Sequence, residues 1–220
     1  MTPIKLYNYW RSSASWRVRS ALHLKGIPFE YVSVHLVKGE QKAGAHHARN
    51  PMDQVPALEL ELDGTTRIVA QSIAILELLE ERFPAVPLLP ADAFLRARCR
   101  ELTEAINSGI QPHQNLGPMG RIDALQAGAG KAHAQHFNDV GLAALEERVK
   151  ETAGRFCIGD RPSFADLCLV PQLYSARRFE VPDLATRFPT LTAIDAACGE
   201  LAAFRAAHPD AQPDAPSPTP

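Results

Sequence analysis

The chain has 220 residues, 45% of them hydrophobic and 22% charged, so it is long enough for one or two domains with buried cores. Lysine and arginine number 23 against 25 aspartate and glutamate, a net charge of −2 that argues against bulk nucleic-acid binding and against a polybasic membrane anchor. No apolar run approaches the roughly 18 residues of a membrane span, and the first residues lack the layout of a signal peptide, so we expect neither.

Strand and helix signals alternate over the first 83 residues. Period-2 alternation predicts strands, spacing of three and four residues predicts helices, and Gly26 suits the position just after a helix. The predicted elements are strand 4–9, helix 16–25, strand 29–34, a loop or short irregular helix over 37–50, strand 55–62, a turn at 63–64, strand 67–70 and helix 73–83. The order β-α-β-α-β-β-α defines an α/β domain over residues 1–83.

Beyond residue 83 the pattern becomes helical. Three prolines within residues 84–90 indicate a linker over 84–91, because proline blocks helix and removes a backbone donor. Residues 92–208 form a predicted all-α domain, with a looser stretch at 117–130 and helices at 91–107, 132–152, 164–179 and 191–207. The segment 209–220 contains five prolines and no large apolar side chain, so we expect a disordered tail.

The cysteines and histidines give no sign of a metal centre. Four cysteines are scattered without a C-x-x-C pair, which argues against a disulfide scaffold or a zinc site and fits a reducing cytoplasm. His46 and His47 have no further ligand at metal-binding spacing, so we interpret them as solvated loop residues. Ser163 and Asp166 form an [ST]-x-x-[DE] pattern before an apolar run and predict a structural capping box.

Five strings in fixed order resemble the zeta class of glutathione transferases, over about residues 4–213. Ser12–Arg19 is similar to the class pattern S-S-C-x-W-R-V-R, and Asn50–Pro56 to N-P-x-x-x-V-P. The other strings are Q-S-x-A-I at 71–75, G-I-Q-P-x-Q-N-L at 109–116 and the block at 159–172. The one notable departure is Ala14, where the pattern usually has cysteine. Any activity that needs a protein thiol at that position is therefore doubtful.

The resemblance implies a glutathione transferase fold: a thioredoxin-like glutathione-binding domain followed by an all-helical substrate-binding domain, assembled as a homodimer. Members of the class act as maleylacetoacetate isomerases and bacterial relatives as maleylpyruvate isomerases. Glutathione is the implied cofactor, and the implied substrate is a small cis-enone dicarboxylate. The glutathione thiolate adds to the double bond of the substrate, the resulting single bond rotates, and the thiolate then leaves.

Ser12 and Ser13 are the first catalytic candidates. They lie between the first strand and the first helix, where backbone N–H groups stabilise an anion and the Ser12 hydroxyl could hold a thiolate. The alternative is that both serines only cap the helix.

The glutathione-binding candidates come from three further segments. Val55 precedes Pro56, which the resemblance implies to be cis, so that the Val55 backbone can pair with a peptide ligand as an added strand does. Gln71 and Ser72, before a helix, are expected to hold the γ-glutamyl end, although Ser72 could equally be a plain N-cap. The resemblance implies that Gln41, in the polar loop, contacts the glycine end of glutathione.

Arg11 and Arg178 are the candidates for binding the substrate, since guanidinium groups pair bidentately with carboxylates. Arg177 is the alternative to Arg178, with a solvated surface charge as its simpler interpretation. The resemblance places Gln111 and Asn115 in the pocket lining; His113 lies in the same block at a variable position.

The residues leave four functions open. The first is isomerisation of maleylacetoacetate to fumarylacetoacetate, and the second is isomerisation of maleylpyruvate. The third is general conjugation or dehalogenation by the same thiolate. The fourth is a non-catalytic binding module, which would be expected to have lost the glutathione contacts.

Overall fold

The computed structural model describes residues 4–216. The chain divides into two compact units: a sheet unit formed by residues up to 87 together with those from 201 onward, and a helical unit formed by residues 88–200. The first boundary falls inside the proline-rich segment predicted as a linker. Within the described residues, no helix combines the length and the apolar character needed to cross a bilayer.

The sheet unit is built on four strands, β1 Ile4–Asn8, β2 Phe29–Ser33, β3 Ala57–Leu62 and β4 Thr65–Ala70. Their order is β2-β1-β3-β4, with β1 parallel to β2 and the other two pairs antiparallel. The central strand β1 has Leu6 opposite Tyr31 on one side and Leu58 on the other. This mixed sheet confirms the thioredoxin-like arrangement that the sequence predicts.

The helices follow the predicted order with additions. They are α1 Ser13–Leu24, α2 Gly44–His47, α3 Ser72–Arg82, α4 Ala93–Asn107, α5 Leu116–Leu125, α6 Ala129–Val149, α7 Phe164–Arg178, α8 Leu184–Arg187, α9 Pro189–Gly199 and α10 Ala202–Ala207. Short 3₁₀ turns lie at Leu36–Lys38, Glu40–Lys42, Gln111–Gln114 and Pro209–Ala211.

In the helical unit, α7 is almost wholly buried and begins at the predicted capping box. The Asp166 carboxylate accepts hydrogen bonds from the Ser163 N–H (2.8 Å), the Ser163 hydroxyl (2.7 Å) and the Cys157 N–H (2.8 Å). These donors satisfy the buried carboxylate, and the carboxylate in turn pairs the Ser163 N–H that precedes the helix. The structural interpretation of Ser163 and Asp166 is therefore the right one.

The stretch 117–130, predicted to be loose, is instead mostly helical. Helix α5 runs over Leu116–Leu125, and Pro118 lies in its first turn, where the missing N–H costs no helical hydrogen bond. Gly130 lets α5 and α6 approach closely, since a Cβ there would lie 2.6 Å from the Met119 carbonyl oxygen.

The single helix predicted over 191–207 is two helices. Helix α9 ends at Gly199, the backbone is extended at Leu201, and α10 starts at Ala202. The two helices pack on different partners, α9 on α6 and α7 of the helical unit and α10 on α1 of the sheet unit. The break lets each helix bury its apolar face against its own unit.

The prediction of a disordered tail is corrected over residues 209–216; residues 217–220 lie outside the described part. After the 3₁₀ turn at Pro209–Ala211, the Asp214 carboxylate accepts hydrogen bonds from the Tyr31 hydroxyl, the Ser33 hydroxyl (2.9 Å) and the Trp10 N–H (3.2 Å). Burial and the Asp214 carboxylate raise the pKa of Tyr31, which keeps its hydroxyl protonated as a donor. The composition of the tail does not predict this order, because it depends on hydrogen bonds made by single polar residues: Asp214, and Gln212, whose amide donates to the carbonyls of Ala206 (2.8 Å) and His208 (2.8 Å).

A second buried carboxylate caps a helix from a distance. Glu146 of α6, 4% exposed, accepts from the N–H groups of Thr190 (3.2 Å) and Leu191 (3.0 Å) at the start of α9. Burial raises the pKa of Glu146, but these hydrogen bonds outweigh burial and the net pKa lies below the ordinary value. A folded-state pKa below the unfolded one means that this carboxylate stabilises the fold above its unfolded pKa. That stabilisation is lost as the pH falls through the folded value.

We therefore expect Glu146→Gln to lower the free energy of unfolding by about 1–3 kcal/mol at pH 7, because two backbone donors lose a charged acceptor. The deficit should shrink as the pH falls below about 4, where the wild type also loses the charge. Urea unfolding at several pH values measures both quantities. Exposed Glu147→Gln is the matched control, and a pH-independent deficit would show that the Glu146 charge is unimportant.

Candidate active site

Ser12 is the N-cap of α1. Its hydroxyl oxygen accepts from the Ser15 N–H at 3.2 Å, and its own N–H donates to the Tyr9 carbonyl at 3.0 Å. Capping uses a lone pair of the hydroxyl oxygen and leaves the hydroxyl hydrogen able to donate to a ligand. Capping and thiolate binding, set against each other by the sequence, are thus compatible at Ser12. Ser13 is the buried first residue of the helix.

The loop before Ser12 is held by Arg19, a fully buried residue of α1. Its guanidinium donates to the Asn8 side-chain oxygen (3.0 Å) and to the carbonyls of Tyr9 (3.2 Å), Trp10 (2.8 Å) and Ala207 (3.1 Å). Burial lowers the pKa of Arg19 to about 10, so it remains a cation at neutral pH. From the sequence alone, Arg19 has no role beyond its place in the Ser12–Arg19 string.

Val55 presents unpaired backbone groups. The Val55–Pro56 bond is cis, as the resemblance implied, and Val55 is buried in an apolar cluster with Tyr7, Tyr9 and Val34. Within residues 4–216, neither the N–H nor the C=O of Val55 hydrogen-bonds to another residue. These two groups are the donor and acceptor that an extended peptide ligand needs.

Helix α3 begins one residue earlier than it would if Ser72 were its N-cap. Gln71, not Ser72, occupies the N-cap position, with a positive φ of 72° that is strained for a residue with a side chain. Ser72 is the first helical residue, and its hydroxyl accepts from the guanidinium of Arg17 at 3.1 Å. Arg17, fully buried in α1, adds a positive charge beside a helix N-terminus, an environment suited to a carboxylate.

Arg17 is a candidate site residue that sequence reasoning missed. Its signal was present in the Ser12–Arg19 string, but only the fold shows that its side chain crosses from α1 to Ser72. This hydrogen bond ties α1 to α3, and the apolar cluster ties Val55 to the residues just before Ser12. The structure therefore brings the segments of Ser12, Val55 and Ser72 together within the sheet unit.

Gln41 and Arg11 also belong to the sheet unit. Gln41 lies in the 3₁₀ turn Glu40–Lys42, and its buried Oε1 has no hydrogen-bond partner within residues 4–216. A buried amide oxygen without a donor fits a ligand contact. Arg11 is half-buried, with its guanidinium 5.2 Å from the centre of the Trp10 ring.

The remaining candidates lie in the helical unit. Gln111 and Asn115 hydrogen-bond to each other at 2.8 Å. Arg177 forms an ion pair with Asp195 at 2.6 Å, whereas Arg178, exposed at the end of α7, places its guanidinium 4.3 Å from the Phe179 ring centre. The ion pair of Arg177 supports its interpretation as a surface charge.

Sequence reasoning also missed the surroundings of His113. The His113 ring stacks on Phe137 with centroids 3.5 Å apart, and its Nδ1 lies 3.0 Å from Nε2 of His133. Burial, followed by the neighbouring His133, lowers the pKa of His113. A loop-to-helix contact over 20 residues leaves no local signal in the sequence.

The thiols of the chain are unsuited to nucleophilic chemistry. Cys99, Cys157, Cys168 and Cys198 are all buried and free. Burial raises the pKa of Cys99, Cys157 and Cys198, which keeps these thiols protonated. A thiolate at the α1 N-terminus would have to come from a ligand.

Known proteins match the whole chain. The model of the glutathione S-transferase N-terminal domain matches residues 2–81. A probable maleylacetoacetate isomerase 2 from Drosophila melanogaster is 48% identical, over 96% of this chain and 90% of its own. A maleylpyruvate isomerase from Ralstonia sp is 46% identical, over 96% and 99% of the two chains.

Solved structures agree. The maleylacetoacetate isomerase from Anaeromyxobacter dehalogenans 2CP-1, with GSH bound in its active site, has a TM-score of 0.90 and 54% identity, over 97% of this chain and 98% of that one. The same protein with dicarboxyethyl glutathione and citrate in the active site also has a TM-score of 0.90, with 52% identity over 98% of each chain. Full-length identity of this order shows that the chain belongs to the zeta-class glutathione transferase family of maleylacetoacetate and maleylpyruvate isomerases.

Proposed function

We propose that this protein is a glutathione-dependent cis–trans isomerase that converts maleylacetoacetate to fumarylacetoacetate. The observation that carries the proposal is the match, over 97% of the chain, to an isomerase crystallised with GSH in its active site. The sheet unit supports it with groups that suit a peptide ligand: the unpaired Val55 backbone, the buried Gln41 oxygen and the positive start of α3.

Bound glutathione would supply a thiolate that adds reversibly to the cis double bond, lets the resulting single bond rotate and is then released. Ser12 would donate its hydroxyl hydrogen to the sulfur while its oxygen still caps α1, with Ser13 contributing at the same helix start. The N–H groups that open α1 would stabilise the negative charge. Each unit by which these N–H groups lower the pKa of the bound thiol corresponds to about 1.4 kcal/mol of preference for the thiolate.

The other residues would bind and orient the two molecules. Val55 would exchange backbone hydrogen bonds with the tripeptide, and Gln41 would contact its glycine end. Gln71 and Ser72 would hold the γ-glutamyl carboxylate, with Arg17 fixing the Ser72 hydroxyl. This placement assigns residues 1–83 to glutathione binding.

Residues 92–208 would bind the electrophile. Arg178 would bind a substrate carboxylate and stabilise charge that develops on the substrate. Arg11 is the other candidate for a substrate carboxylate. Gln111 and Asn115 would line the pocket. Arg177 is left out because it already neutralises Asp195.

Maleylpyruvate is the second candidate substrate, and the 46% identity to the Ralstonia enzyme supports it. Both substrates carry two carboxylates around a cis enone, so the same residues serve either one. Conjugation or dehalogenation of small α-halo acids would be a side activity of the same glutathione thiolate. It would not need a protein thiol at position 14, where this chain has alanine in place of the motif cysteine.

We also propose a cytoplasmic homodimer. Four free, buried cysteines support a reducing compartment, and the family resemblance supports the dimer. Sedimentation equilibrium should give about twice the 24.0 kDa chain mass; a monomer would contradict the assembly but not the activity.

The direct test is turnover of both cis substrates with and without glutathione. We expect isomerisation of maleylacetoacetate only when glutathione is present, with no net consumption of the tripeptide, since the thiolate is released in each cycle. Equal rates without glutathione would contradict the proposed chemistry. The ratio of kcat/KM for the two substrates assigns the natural one.

Ser12→Ala should lower kcat about 10- to 100-fold, because a hydrogen bond to a charged group is worth about 1.5–3 kcal/mol. The pH profile of kcat should shift to higher pH, because the thiolate of bound glutathione loses a hydrogen-bond donor. Loss of the cap should cost only about 1 kcal/mol of unfolding free energy.

Asp92→Ala is the matched control for this substitution. Asp92 caps α4 through a 2.9 Å bond to the Leu95 N–H, so its loss removes a comparable cap outside the proposed machinery. If both variants lose stability equally and turn over equally fast, Ser12 has no part in catalysis.

Arg178→Leu should raise KM for the dicarboxylate about tenfold or more while KM for glutathione stays unchanged, because a charge-assisted pair is lost. Arg177→Leu is the control and should change neither constant, since its charge is paired with Asp195. Steady-state kinetics, with the dicarboxylate and glutathione varied in turn, measures the two KM values. A larger effect at Arg177 would reverse the assignment.

A further inference from the structure

Two buried polar side chains are directed at one carbonyl group. His46 of α2 and Asn50, just after that helix, are each 3% exposed. Nε2 of His46 and Nδ2 of Asn50 both lie 2.9 Å from the carbonyl oxygen of Gln54. This contact corrects the interpretation of His46 as a solvated loop residue; only His47, which pairs with Asp53 at 2.8 Å, is exposed.

The acceptor determines that Nε2 of His46 carries a hydrogen. A carbonyl oxygen can only accept, so Nε2 must carry the hydrogen. Nδ1 of His46 is buried without a hydrogen-bond partner in the described part of the chain. His46 therefore makes a single side-chain hydrogen bond, and that bond goes to Gln54.

The Gln54 carbonyl belongs to the same peptide plane as the Val55 N–H. This peptide is trans, since Val55–Pro56 is the cis bond found within residues 4–216. In a planar trans peptide the N–H points opposite to the C=O. Holding the carbonyl toward His46 and Asn50 thus directs the Val55 N–H away from them, and this is the N–H that lacks a partner.

We propose that His46 and Asn50 are positioning residues for glutathione: by holding the Gln54 carbonyl, they aim the Val55 N–H at the tripeptide backbone. The inference rests on the proposed function, because it takes Val55 as the pairing residue. Asn50 also has its side-chain oxygen bonded to the Met52 N–H at 3.1 Å, so it organises the turn before Gln54. His46 acts on the carbonyl alone and is the cleaner probe.

The decisive variant is His46→Phe, which keeps an aromatic ring but removes the donor. We expect glutathione and S-methylglutathione to bind about three- to tenfold more weakly by calorimetry, the equivalent of one hydrogen bond. S-methylglutathione keeps the peptide groups and lacks the free thiol, so its loss of affinity reports on the backbone contact. KM for the dicarboxylate and kcat at saturating glutathione should stay unchanged.

Two further variants keep the test sharp. His47→Phe is the matched control on the same helix and should leave both affinities unchanged. His46→Gln supplies an amide donor and should restore affinity. If thermal melting shows that the phenylalanine variant does not fold, His46→Leu, which also lacks a donor, replaces it as the probe. In labelled protein, the amide resonance of Val55 should shift on glutathione binding in the wild type and shift less in His46→Phe.

The outcomes separate the two claims. A wild-type chain that binds neither ligand contradicts the proposed function. A wild-type chain that binds both, with His46→Phe equal to His47→Phe, overturns the positioning role alone. Equal losses for glutathione and the dicarboxylate would also overturn it, since a general structural defect would then explain the effect.

Discussion

The buried guanidinium of Arg19 is the constraint on which the sheet unit depends. It gathers the end of β1, the loop before Ser12 and the last carbonyl of α10 around a single cation. A buried charge is tolerated only when its donors are satisfied, and here they are satisfied mainly by backbone oxygens. Because those oxygens come from segments almost 200 residues apart, the cation fixes the loop and the C-terminal helix together.

Buried polar side chains also orient neighbouring groups around the proposed glutathione site. Arg17 fixes the Ser72 hydroxyl, and His46 with Asn50 fixes the Gln54 carbonyl. In each case a buried side chain orients a group that would touch the ligand without touching it itself. The backbone of Val55, the side-chain oxygen of Gln41 and the hydroxyl hydrogen of Ser12 are the groups that we propose to contact the tripeptide.

Local patterns predicted most of the fold because strands and amphipathic helices carry their signal within a few residues. The order of strands and helices along the chain and the capping box at Ser163 followed from such patterns, whereas the thioredoxin-like sheet and the site residues followed from the family resemblance. Two features that the sequence did not predict depend on contacts over long sequence separations. The order of residues 209–216 depends on Asp214 meeting Tyr31, and the cap of α9 depends on Glu146. The role of His46 depends on where α2 folds relative to Gln54, which composition does not encode.

The burial of all four cysteines has a chemical consequence for an enzyme of the proposed kind. Unsaturated ketones of the proposed substrate class are electrophiles that add to exposed thiolates. A polypeptide with all four thiols buried, and with Ala14 where the class pattern usually has cysteine, presents no exposed thiol to such electrophiles. In the proposed reaction the replaceable tripeptide would then be the thiol that meets the substrate, so that alkylation of a sulfur atom falls on a ligand that can exchange rather than on the protein.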